Sequence, residues 1–459
     1  MRTEAGTDYY ELTQREGRAK ILPGLDTTVW GYDGSFPGPT IEAQSGRRVV
    51  VLQRNELPAP TVVHLHGGVT PPESDGYPTD LILPADGSFD EHEGHGGIPM
   101  GRVDRGIKEY VYPMDQPSAT LWYHDHRIDF TGPQVYKGLA GFHIVRDEVE
   151  DDLPLPKGEK DVPLMICDRA FDEDGSFLYP SVDPSLRDEP GVEDNFLEGV
   201  LADTILVNGA PWPVLEVSNT KYRFRLLNAS NARRYELELD PPSGRDSFIQ
   251  IGSDVGLLDS PISHERIPIA PAERFDVVVD FSKYEVGTEV TLKNRIGEGA
   301  TAQLMQFRVV RAERDGGSVP DWLAEVQPSD PGDATERRFG FHRADVHGRQ
   351  GWVIDEEPFG PNRISARPRL GSTEIWEVRG NTHHPIHLHL ARFQVLSRSG
   401  WIKQSPRPQD AGWKDTVDLL PDEEVQLAVR FEGFRGKYVF HCHNLEHEDM
   451  MMMANFEVV

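Results

Sequence analysis

Near its end the chain reads Tyr438-Val439-Phe440-His441-Cys442-His443-Asn444-Leu445-Glu446-His447-Glu448-Asp449-Met450-Met451-Met452. Residues 438–442 are aromatic, β-branched and uncharged in their first three positions, which predicts a buried strand. Alternate side chains on a strand face opposite ways, so His441 and His443 share one side and Cys442 takes the other. That geometry suits two metal sites placed back to back. Cys442, His447 and Met452 bring a thiolate, an imidazole and a weak axial thioether, the donors of a blue-copper centre that still needs one more imidazole.

Three other stretches repeat the alternation: His64-Leu65-His66, His124-Asp125-His126 and His387-Leu388-His389. With His441 and His443 they make four pairs, and each pair puts two rings on one strand face. Eight imidazoles are too many for one metal and suit a cluster of about three, at two or three nitrogens each. His384 stands outside the alternation, three residues before His387; with Pro385 between them it can turn towards Cys442 and complete the thiolate set. A lone His-X-His belongs equally to a zinc site or a satisfied core, but zinc needs neither ten histidines nor an axial methionine. Copper is the metal expected.

Other residues with metal-binding or reactive side chains read more plainly. His92 and His95 fall in a charged, glycine-containing run that reads as a solvated loop. His383 is an outer neighbour of a ligand or is exposed. Met450, Met451 and Met453 read as packing, because methionine fills irregular gaps. Asp125 points away from its flanking histidines and reads as structural. Cys167, in the apolar run 163–167, reads as an inert buried thiol; with Cys442 on a metal, no disulfide framework remains.

The elements that must position these residues follow a loose internal repeat. Gly38-Pro39-Thr40-Ile41-Glu42-Ala43 followed by Arg48-Val49-Val50-Val51-Leu52 recurs as Trp212-Pro213-Val214-Leu215-Glu216-Val217 followed by Tyr222-Arg223-Phe224-Arg225-Leu226-Leu227. A fainter copy is Pro368-Arg369-Leu370 followed by Thr373-Glu374-Ile375-Trp376-Glu377-Val378. Each third closes on a similar strand, at 120–126, 275–281 and 437–443. Three tandem all-β sandwiches are predicted, over residues 1–150, 151–315 and 316–459. Charged, proline-containing segments at 147–161 and 312–338 read as linkers, and 183–195 as an excursion inside the middle unit. The first and third units carry the histidines and the middle one has none at the equivalent positions. The metals therefore belong between the first and third units, with the middle one as a spacer.

Composition agrees with many short strands: 43 glycines and 36 prolines punctuate short apolar runs in 459 residues. No run of about 18 apolar residues exists, so no membrane span is expected. The net charge of −29 excludes nucleic acid and anionic lipid as natural partners. The first twenty residues carry charges throughout and do not read as a secretory signal peptide.

The four copper motifs together resemble those of the multicopper oxidases, and most closely the bacterial laccases of the spore-coat type. They are His64-Leu65-His66-Gly67, Trp122-Tyr123-His124-Asp125-His126, His384-Pro385-Ile386-His387-Leu388-His389, and His441-Cys442-His443-Asn444-Leu445-Glu446-His447 with Met452. Further similar phrases, among them Ala270-Pro271-Ala272-Glu273-Arg274 and Gly412-Trp413-Lys414-Asp415-Thr416, extend the resemblance over essentially the whole chain. It implies three cupredoxin-like Greek-key β-sandwich domains and four copper ions. His384, Cys442, His447 and Met452 match the type 1 ligands, and His64 and His387 the type 2 ligands. His66, His124, His126, His389, His441 and His443 match the type 3 pair. Glu448 and Asp75 match acids that serve proton delivery near the cluster.

The implied partners are a small aromatic reducing substrate and dioxygen, which is reduced to water. The resemblance also implies a reductant pocket over His447, bordered by residues 398–413, and a location in the cytoplasm or at a spore or cell surface. Residues 127–133, after the second motif, depart from the spore-coat pattern. Two other readings stand beside the laccase: a metallo-oxidase acting on cuprous, ferrous or manganous ion, and a copper-holding structural protein, whose expected mark is lost ligands. None of the twelve is lost.

Overall fold

The computed structural model describes residues 2–89, 100–187, 189–314, 316–329, 331–346, 349–400 and 403–459. His92 and His95 lie outside the described residues. The chain folds into three sandwiches, each a pair of sheets closed over its own apolar core. In the first, a five-stranded sheet built on Thr7–Ala19 and Arg48–Asn55 faces a four-stranded sheet ordered Gly38–Gln44, Ala140–Arg146, Ala119–Asp125, Val63–His66. Leu12, Val51 and Tyr110 from one sheet meet Ile41, Leu65 and Leu121 from the other. The second sandwich pairs a seven-stranded with a five-stranded sheet, and the third a six-stranded with a five-stranded one. Parallel pairs such as Gly38–Gln44 on Ala140–Arg146 and Glu336–Val346 on Thr373–Gly380 join distant strands among antiparallel ladders, the mark of Greek-key connection. Among the described residues no helix is long and apolar enough to cross a membrane.

Period-2 patterning drives this. Tyr235–Asp240, YELELD, buries Tyr235, Leu237 and Leu239 while Glu236, Glu238 and Asp240 lie less buried or exposed. The strand Gly436–Cys442 follows the same rule where it matters most. Tyr438, Phe440 and Cys442 enter the third core beside Trp376 and Phe456. Val439 and His441 face the other way, towards the first sandwich; Val439 packs there on Tyr77 and Ile128. Each such buried aromatic contributes roughly 1.5–3 kcal/mol, so the strand's register is strongly held.

The first and second sandwiches meet over a buried charge network. Arg225 donates to Glu150 and Asp161, both at 2.8 Å, and to Thr120 on the strand that carries His124. Arg223 donates to Glu150 and to Asp276. Burial pushes the Glu150 carboxyl up, but Arg223 and Arg225 outweigh it and bring the pKa down from 4.5 to about 2. A depressed carboxylate pKa stabilises the fold above its unfolded value and loses that contribution as pH falls through the folded one. The Glu150→Gln protein is therefore expected to be the less stable at pH 7. Its deficit should narrow between about pH 4.5 and about pH 2, followed by thermal unfolding across that range.

Residues 183–195 do more than loop out of the middle sandwich. Leu186 packs into the first core, and its carbonyl accepts a 2.6 Å hydrogen bond from Arg127 Nη1.

Candidate metal centre

Cross-strand pairing assembles the histidines. Val63–His66 lies antiparallel to Ala119–Asp125 with His64 opposite His124, and His384–Leu388 lies antiparallel to Gly436–Cys442 with His387 opposite His441. All ten histidines of the four motifs are at most 1 % exposed. His64 Nε2 and His387 Nε2 approach to 3.3 Å. His126, His389 and His441 bring their Nε2 atoms together at 3.2–3.3 Å. His66 and His124 converge with His64. His443 lies over Trp122, His66 and His124, with ring centroids 5.1–5.6 Å away.

The outer ring nitrogens show why the inner ones converge. His64 Nδ1 donates to the Asp75 carbonyl, His124 Nδ1 to the Asp125 carbonyl, His387 Nδ1 to the Asp415 carbonyl and His441 Nδ1 to the Cys442 carbonyl. His389 Nδ1 donates to the Asp75 carboxylate at 2.7 Å. Each bond fixes the tautomer and leaves Nε2 an unprotonated lone pair. His66 is reversed: its Nε2 meets Asp415 Oδ1 at 3.0 Å and Thr416 Oγ1 at 3.1 Å, so Nδ1 is its free atom. His66 Nδ1, His124 Nε2 and both nitrogens of His443 are buried without a hydrogen-bond partner. Burial lowers the pKa of His64, His66, His124, His389 and His443 well below the usual imidazole range, and brings His126 to about 4. Neutral lone pairs crowded together with no proton between them fit bound metal cations.

On the opposite strand face, Cys442 Sγ lies 3.5 Å from His384 Nδ1 and 3.6 Å from His447 Nδ1, and those two nitrogens are 3.2 Å apart. Burial pushes the Cys442 thiol up, so the thiolate would need a cation bound at the sulfur. The helix Leu445–Asp449, capped by Asn444, carries His447 back towards the sulfur. Met452 is fully buried in the same core cluster, and its carbonyl accepts the Cys442 N–H. A soft sulfur with two imidazoles suits copper.

The segment 127–133 explains its own sequence. Thr131 and Gly132, opening the helix Thr131–Lys137, donate their backbone N–H groups to Asp449, and Thr131 Oγ1 donates to Glu448 at 2.8 Å. Glu448 thereby stands 3.1 Å from His441 Nδ1 and 3.6 Å from His126 Nδ1. Asp125 turns away from the rings and accepts the N–H groups of Val62 and Arg127. His383 is exposed. Met450, Met451 and Met453 pack against apolar clusters, and Cys167 is buried in another.

Two features differ from the sequence expectations. The middle sandwich is more than a spacer, because its Arg274 grips Asp415 through both terminal nitrogens at 2.7 and 2.5 Å. Asp254 adds bonds to the N–H groups of Asp415 and Thr416 and an ion pair to buried Lys414. The phrases around Arg274 and Asp415 were visible in sequence, but their joint contact with His66 and His387 was not. Second, the cover of His447 comes from Trp352, which stacks on the ring at 3.9 Å, and from Asn444, whose Nδ2 is 3.2 Å from its Nε2. Trp352 is held by the Leu197 carbonyl and Asn444 by that of Glu198. In the expected border, Arg398 turns to Asp410 and the Asp418 carbonyl.

Sequence models described as multicopper oxidase match residues 329–459, and 13–91 with 88–150. The laccase of Bacillus stratosphericus is 39 % identical over 503 residues, covering 98 % of this chain and 95 % of its own. The laccase of Bacillus subtilis (strain 168) is 39 % identical over 505 residues, covering 98 % and 94 %. Among solved structures, a laccase from Pediococcus acidilactici superposes with a TM-score of 0.85 at 32 % identity, covering all of this chain and 91 % of that one. The chain belongs to the multicopper oxidases, copper enzymes that use dioxygen as electron acceptor. Within them its activity is laccase-like.

Proposed function

We propose that the chain holds four copper ions and oxidises phenols and aromatic amines one electron at a time while reducing dioxygen to water. His384, Cys442, His447 and Met452 hold the type 1 ion; His64 and His387 hold the type 2 ion. His66, His124, His126, His389, His441 and His443 hold the type 3 pair. The domains run 1–150, 151–315 and 316–459. The observation that carries this reading is the convergence of buried, tautomer-fixed imidazoles beside a separate Cys442 set. When bound, the coppers supply one-electron storage and the four-electron reduction of dioxygen.

The protein's own groups connect and serve the two sets. Cys442 lies covalently between His441 and His443, so one stretch of backbone joins them. Glu448, oriented by the Thr131 hydroxyl, is the first candidate to accept and pass on protons beside His441 and His126; burial pushes its carboxyl up, but those two imidazoles outweigh it and bring it down to about 2. Asp75 accepts from His389 Nδ1 and fixes that ring, and it is the second candidate for proton supply. A metal-ion reductant is the runner-up, favoured by the net charge of −29.

Oxygen uptake by the copper-loaded protein separates the readings. Uptake is expected with a methoxyphenol, abolished by dialysis against a copper chelator and restored by cupric ion. Uptake with cuprous ion alone would make the protein a metallo-oxidase. No uptake with either reductant, at full copper content, would overturn both in favour of a copper-holding protein.

A further inference from the structure

Both imidazoles beside Cys442 are closed to solvent, His384 at 0 % and His447 at 1 % exposed, and one side chain touches both. Trp352 stacks on His447 with ring centroids 3.9 Å apart and planes tilted by 29°. It meets His384 edge-on, at a centroid distance of 5.4 Å.

Three parts of the chain hold this indole. Trp352 donates its backbone N–H to the Met450 carbonyl, just beyond the helix Leu445–Asp449 that carries His447. Its Nε1–H donates to the Leu197 carbonyl at 2.8 Å. Arg343 stands directly opposite it across the antiparallel strands Glu336–Val346 and Arg349–Ile354, with its guanidinium 5.5 Å from the ring centroid. Glu198 accepts from that guanidinium at 3.0 Å, while its own carbonyl accepts from Asn444 Nδ2.

Residues 197–200 therefore run as a strap from the middle unit over the Cys442 set of the third. The Val200 N–H donates to Glu446 and anchors the strap's far end. Gly199 has a φ of +121°, and a Cβ there would fall 2.4 Å from Ala232 Cβ and 2.9 Å from Asn444 Nδ2. Only glycine lets the strap lie this close.

We propose that Trp352 is a positioning residue for His447. Held by the strap, it keeps that imidazole in one plane and out of water, and so raises the reduction potential of an ion held by Cys442, His384 and His447. This role rests on the type 1 assignment above and deepens it. An oxidised ion carries one more positive charge than a reduced one, so water let in beside His447 favours the oxidised form. The Arg343 charge favours the reduced form, and the Glu198 carboxylate offsets it.

The test is a redox titration of the blue absorption of the copper-loaded protein at low salt, with its copper electron-spin spectrum, for the native chain and four variants. Trp352→Leu is expected to shift the one-electron equilibrium about tenfold towards the oxidised ion, equivalent to about 59 mV, and to change the copper hyperfine splitting. Trp352→Phe keeps a ring on His447 and should recover most of that shift. The side chains of Arg343 and Glu198 are 38 % and 63 % exposed, so Arg343→Gln and Glu198→Gln are expected to fold. They should move the potential by about twofold in the equilibrium, down and up respectively. A general loosening of the site would send both the same way. Should Trp352→Leu not fold, the signs of these two decide. An unchanged potential in Trp352→Leu, or two exposed variants moving together, would overturn the proposal and leave the laccase reading standing, since the blue band would remain. A native protein with full copper content and no blue band would overturn the laccase reading and this role with it.

Discussion

Replacing Cys442 by serine is expected to abolish oxygen uptake with every reductant and to remove the blue thiolate-to-copper absorption, while the protein still folds. The side chain is fully buried, 3.5 and 3.6 Å from the two flanking imidazole nitrogens, and accepts the Asn444 N–H. Serine fills nearly the same space, so the structural cost is that of one buried hydroxyl, about 1–3 kcal/mol. The chemical loss is larger. A hydroxyl is a hard donor that keeps its proton where a thiol would yield it to copper. Removing an outer partner of a metal ligand costs roughly 10–100-fold in affinity or activity, and loss of the ligand itself should exceed that range. His441 and His443 remain in place, so the variant should retain the copper of the eight-histidine cluster and lose one ion per chain. Elemental copper, the visible spectrum and oxygen uptake check these three outcomes together. Uptake within tenfold of the native enzyme would refute the role given to Cys442.

The Arg274→Ala protein is expected to lose about 3–5 kcal/mol of stability, the range for breaking a buried ion pair from one side. Arg274 is fully buried and spends its donors on Asp415, Ala272 O, Thr120 O and Asp254 O. It thus ties the middle sandwich to a strand of the first and to a loop of the third. Burial would push the Asp415 carboxyl up; Arg274 holds it well below the usual carboxylate range. Without the guanidinium, Asp415 takes a proton or swings away. His66 then loses the acceptor at its Nε2, and the loop carrying the carbonyl that fixes His387 loosens. Copper should be retained roughly 10–100-fold less tightly on dialysis, in step with the loss of stability. Lysine should not restore either property, because it cannot reproduce the two-pronged grip. Denaturant unfolding within about 1 kcal/mol of native would show that the network merely fills space.

Much of the metal chemistry was legible before any fold was known. His441, Cys442 and His443 alternate on a strand, and alternation alone separates the sulfur from the two rings. The same rule grouped His64 with His66 and His124 with His126, and the lack of histidines at the equivalent positions of the middle third pointed to metals between the outer two. These are local properties of sequence, set by a two-residue period that any strand must obey. The sandwich architecture was legible for a similar reason, since the strand–turn–strand phrase recurs in each third.

Contacts between residues far apart in the chain could not be read this way. Arg274 and Asp415 are 141 residues apart, and no periodicity links them. Leu186 enters the first core and Leu197 and Glu198 cover the copper-facing residues of the third because one segment crosses three units, which composition does not encode. Trp352 is an ordinary strand tryptophan until packing lays it on His447. Which side chains share a strand face came from the chain's local pattern, whereas the orientation of the rings and the cover of His447 by Trp352 came from packing. The physical reason is that alternation is settled within a few residues of backbone, while access and charge pairing depend on which distant surfaces are buried together.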